Sequence, residues 1–488
     1  MVSSFRLYIG GKWANSRSGE TFSSLNPATG KPIASFQKAG EDDVNRAVDV
    51  AGKAQKKWKD VPAPKRGEIL LRFAYLLKQH KEELAQTVTL EMGKVLTEAR
   101  GDVQEAIDTA EYFAGEGRRL FGHTTPSELR NKFAMTIRMP VGVFGIITPW
   151  NFPIAIPAWK IMPALVCGNA VVFKPASDTP LCATKFVELL IKAGVPSGVV
   201  NLVTGPGDPT GTAIVKHKGV RGISFTGNRE TGESILKNAG LKKVGLELGG
   251  KNGIIIMPDA PLELALDGVI WGGFGTTGQR CTAASRVIVD EKIRGKFERI
   301  FVDRAKRLRL GPGINPKTDV GPLINKAAVD KARRYTQIGL EEGAKLLCGG
   351  KPHGKAGFFY QPTVFTDVAP DMKIAQEEIF GPVVSIISVK NIDEAIDAMN
   401  SVRYGLSSSI YTRDINAAFR AIHEIEAGIT YVNAPTIGAE VHLPFGGVKE
   451  TGIGTREAGI EGINEFSETK TVYIDYSGRL QRAQIDAD

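Results

Sequence analysis

From residue 141 to residue 240 the chain alternates short apolar runs with amphipathic stretches. "VGVFGIIT" (141–148), "NAVVFKP" (169–175), "GVVNLVTG" (198–205) and "GISFTG" (222–227) read as strands, rich in Val and Ile and bounded by Gly or Pro. "AWKIMPALVCG" (158–168), "TPLCATKFVELLIKAG" (179–194), "DPTGTAIVKHK" (208–218) and "NRETGESILKNAG" (228–240) read as helices. Strand, helix, strand repeated at this interval requires a parallel sheet joined by crossover helices. Ligands of such sheets bind beyond the carboxyl ends of the strands. The turns after these strands are therefore the places to look for chemistry.

A second alternating block, from "GIIIM" (253–257) to "GITYVN" (428–433), marks a second α/β domain. A chain of 488 residues has room for two or three domains. Residues 41–120 carry apolar side chains at helical spacing, with Val44, Ala47, Val48, Ala51 and Trp58 on one face of the first helix. Residues 123–140 read as a hairpin that leaves one domain and returns to it. "KTVYIDYS" (470–477) reads as a strand with nothing after it to pair with locally. It is either an ordinary edge strand or a strand that completes another subunit's sheet, which makes an oligomer the expectation.

The net charge of +9 raises the question of a nucleic-acid partner. The basic residues are scattered, and their densest cluster, "KAQKKWKD" (53–60), lies on the wet face of a helix. No basic arm or paired-aromatic RNA signature accompanies it, so no nucleic-acid partner is expected. Cys167, Cys182, Cys281 and Cys348 are too few for a disulfide framework and suit a reducing compartment. The opening segment lacks the apolar core of a signal peptide, and no apolar run reaches membrane-spanning length. A cytoplasmic protein with no membrane partner is expected. The six histidines never pair at helical metal spacing and CxxC is absent, so no metal site is expected either.

Several turns carry reactive or ligand-binding side chains. Cys281 stands in "FGTTGQRCTAAS" (274–285) among small and hydroxyl residues, where a substrate can reach it. In "TPWNFP" (148–153), Trp150 and Asn151 follow a buried strand between two prolines that fix their aim. Asn151 is either an amide donor to a developing oxyanion or a polar turn residue. Glu247 in "GLELGGKN" is either a general base with a raised pKa or a salt-bridged structural group. Lys174 ends the strand of "VVFKPAS" over the ligand crevice, as a ribose or phosphate ligand or as a surface lysine. Gly205, Gly207 and Gly211 form a GxGxxxG turn that fits a dinucleotide or simply a tight connection. A helix beginning near Asn228 in "SFTGNRETG" offers amides to a phosphate.

Together, "PWNFP", "KPAS", "FTGNRETG", "LELGGKN", "GQRC", "EEIFGPV" (377–383) and "PFGGVKETGIGTREAG" (444–459) closely resemble the NAD(P)-dependent aldehyde dehydrogenase superfamily, in order and spacing. The resemblance runs from "NPATG" (26–30) to the terminal strand. It implies two Rossmann-like parallel-sheet domains plus a small β oligomerisation element. The NAD(P)-binding domain would comprise 1–122 and 141–249, the catalytic domain 250–449, and the oligomerisation element 123–140 and 470–488. Homodimers or homotetramers are the implied assemblies.

The resemblance also implies roles. Cys281 matches the nucleophile, Asn151 the oxyanion donor, and Glu247 the base that activates water for thioester hydrolysis. The branch that transfers the acyl group to coenzyme A lacks this glutamate. Lys174 matches the adenine-ribose lysine, Glu378 and Phe380 the nicotinamide-ribose and ring contacts. Trp150, Gly207, Gly227 and Asn228 lie along the expected cofactor path. Ser177 stands where NAD-preferring members often carry glutamate, so NADP is expected to be accepted beside NAD. Asn228 replaces a serine common in the family and retains the ability to cap a helix.

The loop "NAPTIGAEVHLPFGG" (433–447) and the tail resemble the branch that oxidises 2-oxoglutarate semialdehyde. Its carboxylate would meet the amides of Gly438 and Ala439, with Arg280 nearby and either facing the pocket or turned from it. Phe152 and Phe445 would wall the tunnel. The competing expectations are a broad-range or succinic/glutaric semialdehyde dehydrogenase, and a non-catalytic binding or structural relative.

Overall fold

The computed structural model of the chain describes residues 3–485. The outermost residues of the expected first domain and oligomerisation element, 1–2 and 486–488, lie outside the described residues.

Two seven-stranded sheets dominate. The first runs Lys243–Glu247, Gly222–Thr226, Val143–Ile147, Ala170–Lys174, Val200–Leu202, Leu7–Ile9, Lys12–Ala14. Its first five strands are parallel, as the alternation requires. The last two are an antiparallel edge added by the first residues of the described chain. The second runs Lys345–Cys348, Thr363–Thr366, Val383–Val389, Ala284–Asp290, Asn252–Ile256, Ser407–Tyr411, Ile429–Val432. It is parallel except for the antiparallel edge strand 345–348. Both sheets are thus parallel in the middle, as expected, with an antiparallel margin that the alternation did not reveal. An edge strand needs only one partner, so a short segment from far along the chain can serve.

The order of the first sheet places the site. From strand 143–147 the chain moves outward through 170–174 and 200–202, then returns to lay 222–226 on the other side of 143–147. The carboxyl ends of 143–147 and 222–226 therefore diverge, and such a reversal opens a crevice. "TPWN" and "TGN" leave those two ends. Strand 143–147 is buried along its whole length. The helix Ala155–Val166 that follows is buried at every position except Ile156.

The helices expected over 41–120 form as four, Glu41–Trp58, Ala63–Gln79, Lys81–Met92 and Leu96–Glu116. The first buries Val44, Ala47, Val48, Ala51 and Trp58, the apolar face read from the sequence.

The hairpin is present as Thr124–Pro126 and Lys132–Pro140. The terminal strand Ser467–Asp475 does have a partner within the chain: it pairs antiparallel with 132–140 from Ser467↔Pro140 to Asp475↔Lys132. Within the described chain it is therefore an edge strand, the first of the two alternatives read from the sequence. Its other edge carries no strand among the described residues.

Candidate active site

Cys281 is held by an unusual approach. Helix Leu262–Phe274 runs into a turn in which Thr276 (φ 51°) and Thr277 (φ 60°) both adopt left-handed backbone. β-Branched residues resist that region, and such conformations persist only where neighbours over-determine them. Here they do. Glu98 accepts from the Thr276 amide (2.8 Å) and hydroxyl (3.2 Å). Gln279 donates from Nε2 to the Thr276 carbonyl (3.2 Å) and accepts at Oε1 from the Ile324 amide (2.9 Å). The result is a rigid shelf ending in Arg280 and Cys281. Cys281 lies on the wall shared by two cavities.

Asn151 reaches the same shelf from the first sheet. It is 3% exposed, and its Nδ2 donates to the Gln279 carbonyl at 3.0 Å. One further amide hydrogen is left for a ligand, and Oδ1 has no partner.

Glu247 ends strand 243–247 and lines the cavity that holds Cys281. Burial pushes its carboxyl well above the usual range, Glu457 pushes it further, and Lys160 pulls the other way. Lys160 donates to Ser224 Oγ at 2.9 Å and forms a buried ion pair with Glu457. The Cys281 thiol is pushed up to about 12, first by burial and then by Glu378 and Glu247. The protonated thiol is thus favoured at Cys281, and attack requires a proton acceptor.

On one side of Cys281 lies a cavity of about 160 Å³. Phe152, Trp159, Ile437 and Phe445 give it apolar walls, with Phe445 edge-on to Trp159 at 4.9 Å. Arg280, Gly438 and Ala439 line it as well, with the Arg280 guanidinium held by Thr276 Oγ1 and Glu98 and stacked on Trp271. No described hydrogen bond engages the amides of Gly438 and Ala439.

On the other side lies a cavity of about 240 Å³ lined by Trp150, Asn151, Gly227, Asn228, Glu378 and Phe380. The edge of Phe380 meets Trp150 at 5.5 Å. Glu378 Oε1 accepts from the Gly250 amide at 2.9 Å. A Cβ on Gly249 would come within 2.4 Å of Glu378 Oε2, and one on Gly227 within 2.3 Å of the Phe225 ring. The turns are glycine because the space is already used. Asn228 caps helix Arg229–Ala239 by accepting from the Thr231 amide at 2.8 Å. Its carbonyl oxygen is spent on the cap.

A third cavity, about 380 Å³, flanks the start of the same helix and is lined by Lys174, Gly207, Gly211 and Thr231. Lys174 is 4% exposed and donates to the Pro175 carbonyl at 2.9 Å. Burial lowers its pKa to about 8. Ser177 is not on this wall: its hydroxyl donates to the Gly205 carbonyl at 2.9 Å and steadies the glycine turn. Two cavities around one capped helix start, with a buried lysine in one and a carboxylate beside a glycine cradle in the other, fit a dinucleotide.

A family model for the aldehyde dehydrogenase family matches residues 13–472. The chain belongs to the aldehyde dehydrogenase family. An alpha-ketoglutarate semialdehyde dehydrogenase of Haloferax volcanii is 44% identical over 98% of this chain and 100% of its own length. An alpha-ketoglutaric semialdehyde dehydrogenase of Bacillus subtilis is 42% identical over 96% of this chain and 97% of its own. Human retinal dehydrogenase 2 is also 42% identical, over 96% and 91%. Among solved structures, betaine aldehyde dehydrogenase from Staphylococcus aureus in complex with NAD+ superposes with a TM-score of 0.96 at 36% identity, covering 98% of this chain and 96% of that one. The motif resemblance, the α/β fold and the enzyme class thus hold over nearly the whole aldehyde dehydrogenase chain.

Sequence reasoning passed over several residues at this site. Lys160 was visible as the one charge in an otherwise apolar helix, "AIPAWKIMPALV". Glu457 and Glu105 had no such signal, because each reaches the cavity from a distant segment.

Proposed function

We propose that this aldehyde dehydrogenase oxidises 2-oxoglutarate semialdehyde to 2-oxoglutarate with NAD+ or NADP+. The observation that carries the chemistry is the position of Cys281 between a small apolar cavity and a cavity suited to a dinucleotide. The relatives named for this substrate and the presence of Arg280, Gly438 and Ala439 on the cavity wall support the substrate.

Lys174, Trp150, Gly207, Gly227, Glu378 and Phe380 would hold the cofactor, with Asn228 acting through the helix cap and Ser177 through the glycine turn. NAD(P)+ bound there supplies the hydride acceptor. Glu247, whose raised pKa strengthens it as a base in its ionised form, takes the thiol proton. The Cys281 sulfur then adds to the aldehyde carbon, giving a thiohemiacetal oxyanion. The free amide hydrogen of Asn151 stabilises that oxyanion. Collapse expels the hydride and leaves a thioester on Cys281. Glu247 releases the thiol proton to solvent and then deprotonates water, hydroxide adds to the thioester, and the carboxylic acid leaves as Cys281 regains its thiolate, which the protonated Glu247 can reprotonate. Phe152 and Phe445 wall the aldehyde in.

The cofactor-binding segments are assigned as 1–122 and 141–249, the catalytic segment as 250–449, and the small sheet of 123–140 and 470–488 as the assembly element. The small sheet exposes Phe133, Ile137 and Ile474 on one face, suited to a second copy in a homodimer or homotetramer. No described helix is long and apolar enough to cross a membrane. A cytoplasmic location is part of the proposal.

A second reading, a broad-range dehydrogenase of uncharged aldehydes, is favoured by the apolar walls and by the match to retinal dehydrogenase 2. Steady-state kinetics with NAD+ and with NADP+ separate the two. The panel is 2-oxoglutarate semialdehyde, succinic semialdehyde, glutaraldehyde and an aliphatic aldehyde. A kcat/KM for the oxo acid well above the rest is expected, and equal values across the panel would reject it in favour of the second reading.

A further inference from the structure

The substrate cavity contains a titratable side chain that the chemistry above does not use. Glu105, on helix 96–116, lines the cavity together with Cys281 and Arg280. No described hydrogen bond reaches its carboxyl group. Arg280 is fixed beside it. The Arg280 Nε donates to Thr276 Oγ1 at 2.8 Å, and Nη2 lies 3.4 Å from Glu98 Oε1. The guanidinium sits 4.7 Å from the Trp271 ring and 5.5 Å from the Phe152 ring. A guanidinium has five N–H donors, and no described hydrogen bond uses Nη1.

We propose that Glu105 and Arg280 form the specificity-determining pair of this cavity, receiving the far carboxylate of a short aldehyde acid. Arg280 offers its unused N–H groups, and Glu105 donates an O–H hydrogen bond as an uncharged acid. The inference rests on the carboxylated-substrate reading above and names a residue that reading lacked.

The local charge balance supports the neutral form. Behind the wall, Lys94 is fully buried against Asp102 at 3.2 Å and over the Phe152 ring at 3.7 Å. Lys94 and Arg280 together balance Asp102 and Glu98. No net positive charge is left over to hold an ionised Glu105. Burial pushes the Glu105 carboxyl up to about 8, with Asp102 and Asp108 adding to the rise and Lys94 and Arg280 opposing it. At neutral pH Glu105 is therefore held mainly as the uncharged acid, able to donate its O–H. Above that range Glu105 ionises and repels a carboxylate.

The test measures the ratio of kcat/KM for succinic semialdehyde to that for an uncharged aldehyde of the same length, in the full-length enzyme. Glu105→Ala should lower the ratio roughly tenfold or more, the value of a hydrogen bond to a charged group. Glu105→Gln, which keeps a donor and no charge, should hold the ratio within about twofold of wild type near pH 7. The wild-type ratio should fall as pH rises from about 7 to about 9, while the Gln variant stays flat. An unchanged ratio in the Ala variant overturns the proposal and leaves the substrate reading standing. A pH-independent wild-type ratio, or a Gln variant as impaired as Ala, also overturns it. A wild type that does not favour the acid aldehyde at all overturns both.

Discussion

The Asn252 side-chain amide donates to the Cys281 carbonyl at 2.6 Å and to the Ala283 carbonyl at 3.1 Å. Its Oδ1 accepts from the Ser407 amide at 2.9 Å. One buried side chain thus ties the segment carrying Cys281 to the centre of the second sheet. Asn252→Ala removes all three bonds and strands two buried carbonyls. A loss on the order of 3 kcal/mol in chemical denaturation is expected, together with a drop in kcat at temperatures where the variant remains folded. A stable variant with normal kcat would show that the shelf is held by Glu98 and Gln279 alone.

The raised pKa of Cys281 governs its reactivity toward alkylating agents. With the thiol held at about 12 in the ligand-free protein, little thiolate exists at neutral pH. Iodoacetamide should modify Cys281 far more slowly than free cysteine at pH 7, with the rate still rising at the alkaline limit of the stable range. Cys281→Ser should abolish turnover while cofactor binding stays measurable. Full activity in that variant would sink the mechanism.

Lys160 and Glu457 bias Glu247 in opposite directions. Glu457→Gln removes a neighbouring anion, so Glu247 ionises at lower pH and the rising limb of kcat against pH should move toward acid. Lys160→Met removes a cation and should move the limb toward alkali. It also leaves Glu457 buried without its partner, at a cost of roughly 3–5 kcal/mol. Shifts of the same sign in both variants would rule out Glu247 as the titrating base.

Gly249→Ala tests the cofactor cradle. Its new Cβ would stand 2.4 Å from Glu378 Oε2, so the carboxylate must swing away. The KM for NAD+ should rise about tenfold, equivalent to one lost hydrogen bond to a charged group. An unaltered KM would remove Glu378 from the cofactor contacts.

Ser177→Glu breaks the bond to the Gly205 carbonyl and introduces a charge beside the glycine turn whose Gly207 and Gly211 line the lysine cavity. The KM for NADP+ should rise far more than that for NAD+, because only NADP+ carries a phosphate to repel. Equal effects would mean that position 177 acts only through the glycine turn.

The alternation of Val- and Ile-rich runs with amphipathic stretches was enough to read both sheets, since strand and helix periodicity are local properties of neighbouring residues. The turns carrying Asn151, Lys174, Glu247 and Cys281 were legible for the same reason: each follows or precedes a recognisable strand. The antiparallel margins were not. Segments 7–9 and 345–348 are short, and their pairing is decided by which edge they meet. The partner of the terminal strand, 132–140, was not legible because it lies more than three hundred residues earlier in the chain.

Sequence alone determined the element types, the chemical kinds of side chain in the turns and the family. Tertiary structure decided what those side chains face and what charge they carry. It turned Ser177 toward Gly205, tied Arg280 on the cavity wall to Thr276 and Glu98, and brought Glu105, Lys160 and Glu457 to the site from separate segments. A pKa depends on burial and on charges a few ångströms away in space, and neither is a property of spacing along a chain.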